Sequence, residues 1–330
     1  MKKLLFPVLL FGTLMANAQS PKWHVAATYP VKGDGKWDYI AINPVTQQLY
    51  TAHGTEVNII DKTNGTEAGT IPHTEGVHGI AFAPRFGKGF TSNGKSNTVT
   101  VFDIQTHQVQ AEIATGGNPD AILFEPFSDK VITCNGAGKD LSVINPGTNK
   151  VVATIPLKAR PETAVSDGAG HLYVNLEDKS SIAVISMSTF KVEKEWPLGK
   201  GEAPTGLAID TVTHRLFAGC DNKLLVVMNA VNGQVVTTLP IGDGCDGVAF
   251  DPAGKIIFTS NGEGTLSVFR EDSADKYTSL GTVPTAKGAR TLVYDPLTQD
   301  VFLPVADRHS GPDGKPAIAP GTFRVLAVRK

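Results

Sequence analysis

The chain has 330 residues, 41% of them apolar and 19% charged, with a formal net charge of -2 and only three cysteines. That much apolar content with so little net charge excludes bulk disorder, and the length excludes a disulfide-stapled mini-protein. Apolar runs are short after the first twenty residues, which excludes a polytopic membrane protein, and the scattered basic residues argue against nucleic acid as a partner.

At the N-terminus, Lys2 and Lys3 precede an apolar run over residues 4–15 that Ala16-Asn17-Ala18 closes with small residues. This is the pattern of a secretory signal over residues 1–18, cleaved after Ala18. The run is too short for the roughly 20 residues a membrane-spanning helix needs. A periplasmic or secreted protein without a membrane span after cleavage is therefore expected. Its compartment is oxidising, and three cysteines permit one internal disulfide.

From residue 38 onward the chain repeats itself. Asp38-Tyr-Ile-Ala-Ile-Asn-Pro returns as His78-Gly-Ile-Ala-Phe-Ala-Pro, Asp120-Ala-Ile-Leu-Phe-Glu-Pro, Thr205-Gly-Leu-Ala-Ile-Asp, Asp246-Gly-Val-Ala-Phe-Asp-Pro and Arg290-Thr-Leu-Val-Tyr-Asp-Pro. Glu162-Thr-Ala-Val-Ser-Asp fills the gap as a weaker copy, which makes seven units of about 40–44 residues. Within a unit the apolar run is followed by a turn, a second run such as Gly89-Phe-Thr-Ser, an Asn-Gly turn, and an alternating run such as Val99-Thr-Val-Phe-Asp. A fourth run, such as Gln108-Val-Gln-Ala-Glu-Ile, has the period-two alternation of a half-buried strand. Four short antiparallel strands per unit make one blade, so the fold read from the repeat is an all-β, seven-bladed β-propeller.

The last unit stops one strand short. Residues 23–31 alternate like the fourth strands elsewhere, so they are expected to complete blade 7 and close the ring, removing an open sheet edge. Residues 19–330 then form one domain, from which the polar segment 308–321 departs as a lid-like loop.

The repeats Gly117-Asn-Pro-Asp-Ala-Ile-Leu-Phe-Glu-Pro, Leu141-Ser-Val-Ile-Asn with Asn149-Lys-Val-Val-Ala-Thr-Ile-Pro, and Tyr173-Val-Asn-Leu carry a resemblance. Over nearly the whole mature chain the sequence resembles the extracytoplasmic YVTN-repeat or YncE-like propellers. Most copies depart from the Tyr-Val-Thr-Asn signature, reading Thr91-Ser-Asn-Gly, Thr133-Cys-Asn-Gly and Thr259-Ser-Asn-Gly. The resemblance implies an exported binding or surface protein, with sugar-lactone hydrolases and quinoprotein dehydrogenase subunits as relatives of similar shape. Fold alone does not choose among these.

Strands one and two of a blade are antiparallel, so the start of one and the end of the other share the channel mouth. This yields a first ring of Asp38, His78, Asp120, Glu162, Thr205, Asp246 and Arg290, and a second of His53, Asn93, Asn135, Leu176, Cys220, Asn261 and Val305. Candidate ligand-binding residues are His53, His78, Asn93, Asp120, Asn135, Glu162, Asp246, Asn261, Arg290 and, from the 308–321 loop, His309. The loop also carries Arg308, Asp313 and Lys315. Asp38, Asp120, Glu162 and Asp246 form a carboxylate set for a divalent cation such as Ca²⁺ or Mg²⁺, while His53 and His78 together with a carboxylate would suit Zn²⁺ or another transition metal. The structural alternatives are turn roles for the Asn residues, caps for the Asp residues, and pairing of Arg290 with Asp246 or Asp38.

Cys220 and Cys245 fall on neighbouring blades at the mouth and are expected to pair, leaving Cys134 as a buried thiol. The sequence holds no Gly-x-Ser-x-Gly elbow, His-Glu-x-x-His, phosphate loop or haem-attachment motif. The function expected is therefore that of a monomeric binding or scaffold protein, holding a small polar ligand, peptide or partner protein at the mouth. The alternative is a metal-assisted hydrolase of lactone or ester type, with His53 or His78 as base and Arg290 steadying the oxyanion.

Overall fold

The computed structural model describes residues 23–33, 35–311 and 315–330. The signal segment 1–18 and Asp313 lie outside the described residues. Seven four-stranded antiparallel sheets follow one another around a ring. The first six are built in chain order, beginning with Trp37–Ile42, Gln48–His53, Glu56–Asp61 and Glu67–Ile71. The innermost strands of neighbouring blades touch all the way round, including the last against the first. Among the described residues no helix is long and apolar enough to cross a membrane.

The repeat's signature has a local cause. The acidic or amide residue near the end of strand one accepts backbone N–H groups two and three residues on: Asn43 from Val45 and Thr46, Glu125 from Phe127 and Ser128, Asp251 from Ala253 and Gly254. Each side chain fixes the turn into strand two. Strand two carries a large apolar residue at one register position, and Tyr50, Phe90, Ile132, Phe217, Phe258 and Phe302 are all fully buried there. These residues fill the space between blades, each worth about 1.5–3 kcal/mol of burial. Fourth strands alternate instead, as in Lys150–Pro156, because only one of their faces is covered.

Blade 7 is assembled from both ends of the chain. Its strands run Val293–Tyr294, Val301–Val305, Arg324–Arg329 and, outermost, the N-terminal His24–Pro30. The strand expected over residues 23–31 is thus present, antiparallel to Arg324–Arg329. A buried ion pair, Lys62 Nζ to Asp295 Oδ2 at 2.6 Å, bolts blade 1 to blade 7. The Tyr29 hydroxyl adds bonds to the carbonyls of Lys62 and Thr63.

Candidate functional site

The first six inner strands each carry a register shift at the start of the repeat, where two residues oppose one on strand two. Such a bulge re-aims side chains. In blade 1 it turns both Asp38 and Tyr39 toward the channel. It also leaves inner-strand carbonyls without ladder partners, and neighbouring blades satisfy them: Thr205 Oγ1 donates to Cys245 O at 2.6 Å, Thr291 Oγ1 to Asp38 O at 2.6 Å, and Ser92 Oγ to Asp120 O. The ring is held at the very positions that carry its charges.

Those charges converge as the spacing predicts. His78 Nδ1 donates to Asp38 Oδ2 at 2.5 Å and stands 3.6 Å from Asp120 Oδ1. Arg290 bridges two carboxylates, Asp38 Oδ1 at 3.3 Å and Asp246 Oδ2 at 3.1 Å. Self-pairing at the mouth is therefore real on this side. Arg160 lies 3.7 Å from Glu162 Oε2 and 2.9 Å from Glu177 Oε2. Burial, with Asp38 nearby, lifts the Asp120 carboxyl to about 6 despite the opposing His78 charge. Burial likewise lifts Asp246 to about 7 against the pull of Arg290, and pushes Glu162 well above the carboxylate range with help from Asp120 and Asp246. Burial disfavours charge on His78, yet the Asp38 hydrogen bond and the Asp120 charge raise its pKa overall.

Tyr39 was not singled out by motif. Its hydroxyl reaches Thr163 Oγ1 in blade 4 at 3.4 Å, and its ring packs against the core shared by blades 3 and 4. It therefore spans the channel and plugs it. A signal exists in the repeat: the same position holds Gly79, Ala121, Thr163, Gly206, Gly247 and Thr291, so Tyr39 alone is bulky.

Above this floor opens a cleft of about 860 Å³, lined by Lys36, Trp37, Asp38, Gly54, Gly76, His78, Gly94, Lys95, Asn118, Arg290 and Arg308 among others. The 308–321 segment is a small hairpin, Arg308–Ser310 against Pro316–Ile318, which sets the Arg308 guanidinium 5.6 Å over the Trp37 ring. The adjacent His309, expected among the ligand-binding residues, is exposed and is not among the residues that line the cleft.

The second ring also needs correction. Residues opposite one another in a ladder share a face, and Trp37 pairs with His53, Val77 with Asn93, Pro119 with Asn135 and Cys245 with Asn261. The second ring is thus one residue out of phase with the first and points into the blades. Asn93 donates to Thr98 and Thr100, Asn135 to Asp140 and Ser142, and Asn261 to Thr265 and Ser267, each tying strand two to strand three. His53 bonds Asn58 and stacks on Phe323 with centroids 3.9 Å apart. Nor do these Asn residues supply the left-handed turn conformation, which falls instead on Asn97, Lys139 and Gly264.

All three cysteines are buried free thiols, so the expected Cys220–Cys245 bridge is not formed. The two thiols turn to separate backbone acceptors, Cys220 to Ala218 O and Cys245 to Gly247 O. Burial pushes Cys220 up to about 12 and Cys245 higher still, which removes either as a nucleophile.

No family model matches the chain, and no curated protein matches it in sequence. Among solved structures it is similar to a chain of hydrazine synthase from Kuenenia stuttgartiensis, with 16% identity and a TM-score of 0.73 over 88% of this chain and 97% of that one. At that identity the likeness shows the propeller fold alone.

Proposed function

We propose that this chain is an exported binding protein of the YVTN-repeat, YncE-like kind, which takes a small anionic ligand in the mouth cleft. The export rests on the signal pattern of residues 1–18 and the kinship on the repeats quoted above. One observation carries the ligand class: the cleft presents Lys36, Lys95 and Arg308, while among the described residues that line it the one carboxylate, Asp38, is already held by His78 and Arg290. The free charge facing a ligand is therefore positive. Arg308 lies over the largely buried Trp37 ring, so the ligand class that fits the cleft is one that carries a carboxylate or phosphate.

Hydrolysis of a lactone or ester is the second reading, and the Asp38–His78 hydrogen bond favours it because it orients a histidine at the cleft. Binding is preferred because Arg290, the oxyanion donor of that mechanism, is saturated by two carboxylates. The test is a thermal-shift screen of anionic, neutral and cationic small molecules at two salt concentrations, followed on hits by Arg308→Ala and Lys95→Ala. At a ligand concentration one hundredfold above Kd, stabilisation is about 2.7 kcal/mol. Anionic hits that weaken with salt and in both variants support the proposal. Hits that ignore charge, salt and both variants overturn it, and turnover on a lactone panel would transfer the reading to the hydrolase.

A further inference from the structure

We infer that Asp38, His78 and Asp120 form a three-ligand site for a divalent transition-metal ion, with Zn²⁺ as the best fit, on the floor of the mouth cleft. One ligand atom from each of these residues lies within 4.8 Å of the others. Tetrahedral ligands at about 2.0–2.1 Å from zinc stand about 3.3 Å apart. His78 Nδ1 to Asp120 Oδ1, at 3.6 Å, already matches, and the 2.5 Å separation of His78 and Asp38 opens by less than 1 Å once an ion replaces the proton between them.

An independent observation points to a missing cation. Asp120 is 7% exposed, and its Oδ1, aimed at His78 3.6 Å away, is buried without a hydrogen-bond partner. A buried carboxylate oxygen left unpaired is costly.

The surroundings suit a metal in two further respects. Asp38 offers Oδ2 to the site while Arg290 holds its Oδ1, and Asp246 holds Arg290 in turn, so the ligand carboxylate is oriented from behind. Asp38 and His78 also line the cleft, so the fourth coordination position faces the opening. One nitrogen and two carboxylate oxygens suit zinc better than calcium, which takes six to eight oxygens. The inference stands apart from the anionic-ligand reading, since it rests on the ring and not on the lysines.

The test uses the full mature chain, cleared of metal with chelator, titrated with Zn²⁺ by calorimetry and with Co²⁺ by visible absorption. One ion per chain is expected, with the intense cobalt bands of four- or five-coordination. Asp120→Asn and His78→Gln should each weaken binding by at least about 100-fold, beyond the 10–100-fold that a change behind the ligands costs. The His309→Ala control should bind like the parent. Equal binding by Asp120→Asn, His78→Gln and the parent, or loss in His309→Ala, assigns the ion to the surface and overturns the inference. Should either ring variant fail to fold, the parent's cobalt spectrum decides: weak six-coordinate bands refute the site.

Discussion

The ring's noncovalent closure makes Lys62→Met the most informative single change. Lys62 Nζ lies 2.6 Å from Asp295 Oδ2 and 2.7 Å from Gln47 Oε1, and the two charged side chains are 8% and 1% exposed. Removing one partner of a buried pair costs about 3–5 kcal/mol, because the other charge is left without compensation. Asp295 keeps bonds from the Leu297 backbone and the Thr298 hydroxyl, which places the cost near the lower end, about 3 kcal/mol. For a domain of this size that is a fall of about 5 °C in Tm. The pair also sets a pH dependence. The Asp295 desolvation penalty is outweighed by Lys62 and the turn bonds, which hold its carboxyl below the usual range. Its contribution is therefore complete above the ordinary aspartate value of about 3.9 and is lost as pH falls through the lower folded value. Urea unfolding of the parent, Lys62→Met, Asp295→Leu and the double variant measures the coupling. The double variant should lose at least about 2 kcal/mol less than the two single losses together. A single-variant cost below about 1 kcal/mol at neutral pH, or a cost that does not shrink toward pH 3, would refute the closure reasoning.

Asn135→Ala strands the Asp140 carboxylate and the Ser142 and Thr133 hydroxyls, so a loss of about 2–3 kcal/mol is expected in urea unfolding, whereas a cost under about 0.5 kcal/mol would return Asn135 to the candidate ligands. Glu271, lifted to about 7 by burial and by Asp210, favours its protonated form when folded, so stability should fall as pH rises from about 4.3 to 7. Glu271→Gln should remove that slope and stabilise the protein above pH 7 by about 1–2 kcal/mol after solvent screening; no gain at pH 8 counts against the buried carboxyl. Tyr39→Ala should cost about 2 kcal/mol by emptying the channel, and Tyr39→Phe under about 0.5, since the hydroxyl bond is long at 3.4 Å; equal costs would mean that the hydroxyl, not the ring, matters. Thiol titration should find none in the native protein and three after unfolding without reductant, whereas a single thiol on unfolding would restore the Cys220–Cys245 bridge.

The architecture was legible because each blade repeats the same solution to the same problem: a capped turn after Asn43 or Asp251, a bulky residue such as Phe90 between sheets, an alternating outer strand. Seven noisy copies average into one clear pattern. The first ring was legible for the same reason, since position in the repeat is position around the channel. The second ring failed on a single residue of phase. Counting from strand ends placed Asn93, Asn135 and Asn261 at the mouth, but the inner-strand bulge inserts one residue and sends that register into the blade. Lys36 stands just before the first strand, Trp37 opens it, and Lys95 lies in the turn between strands two and three of blade 2, positions at which the repeat carries no signature residue.

A ring of seven similar blades makes a site only where the blades differ, and Tyr39 decides where that is. Six small residues at its repeat position would leave an even channel with charges spaced around it. Tyr39 instead leans from blade 1 to Thr163 of blade 4 and packs on the core of blades 3 and 4, so it fills that half. The space that remains lies on the arc of blades 7, 1 and 2, and the cleft is lined from there by Arg290, Arg308, Trp37, Asp38 and His78. The same asymmetry sorts the charges. Arg290 neutralises the Asp38 and Asp246 side, while on the plugged half Glu162 Oε2 has Arg160 at 3.7 Å and the buried Asp120 Oδ1 has no hydrogen bond. A cation entering from the open side meets Asp38 and His78 first and finds Asp120 behind them, so one bulky residue in an otherwise small ring is enough to turn a symmetric channel into a directed pocket.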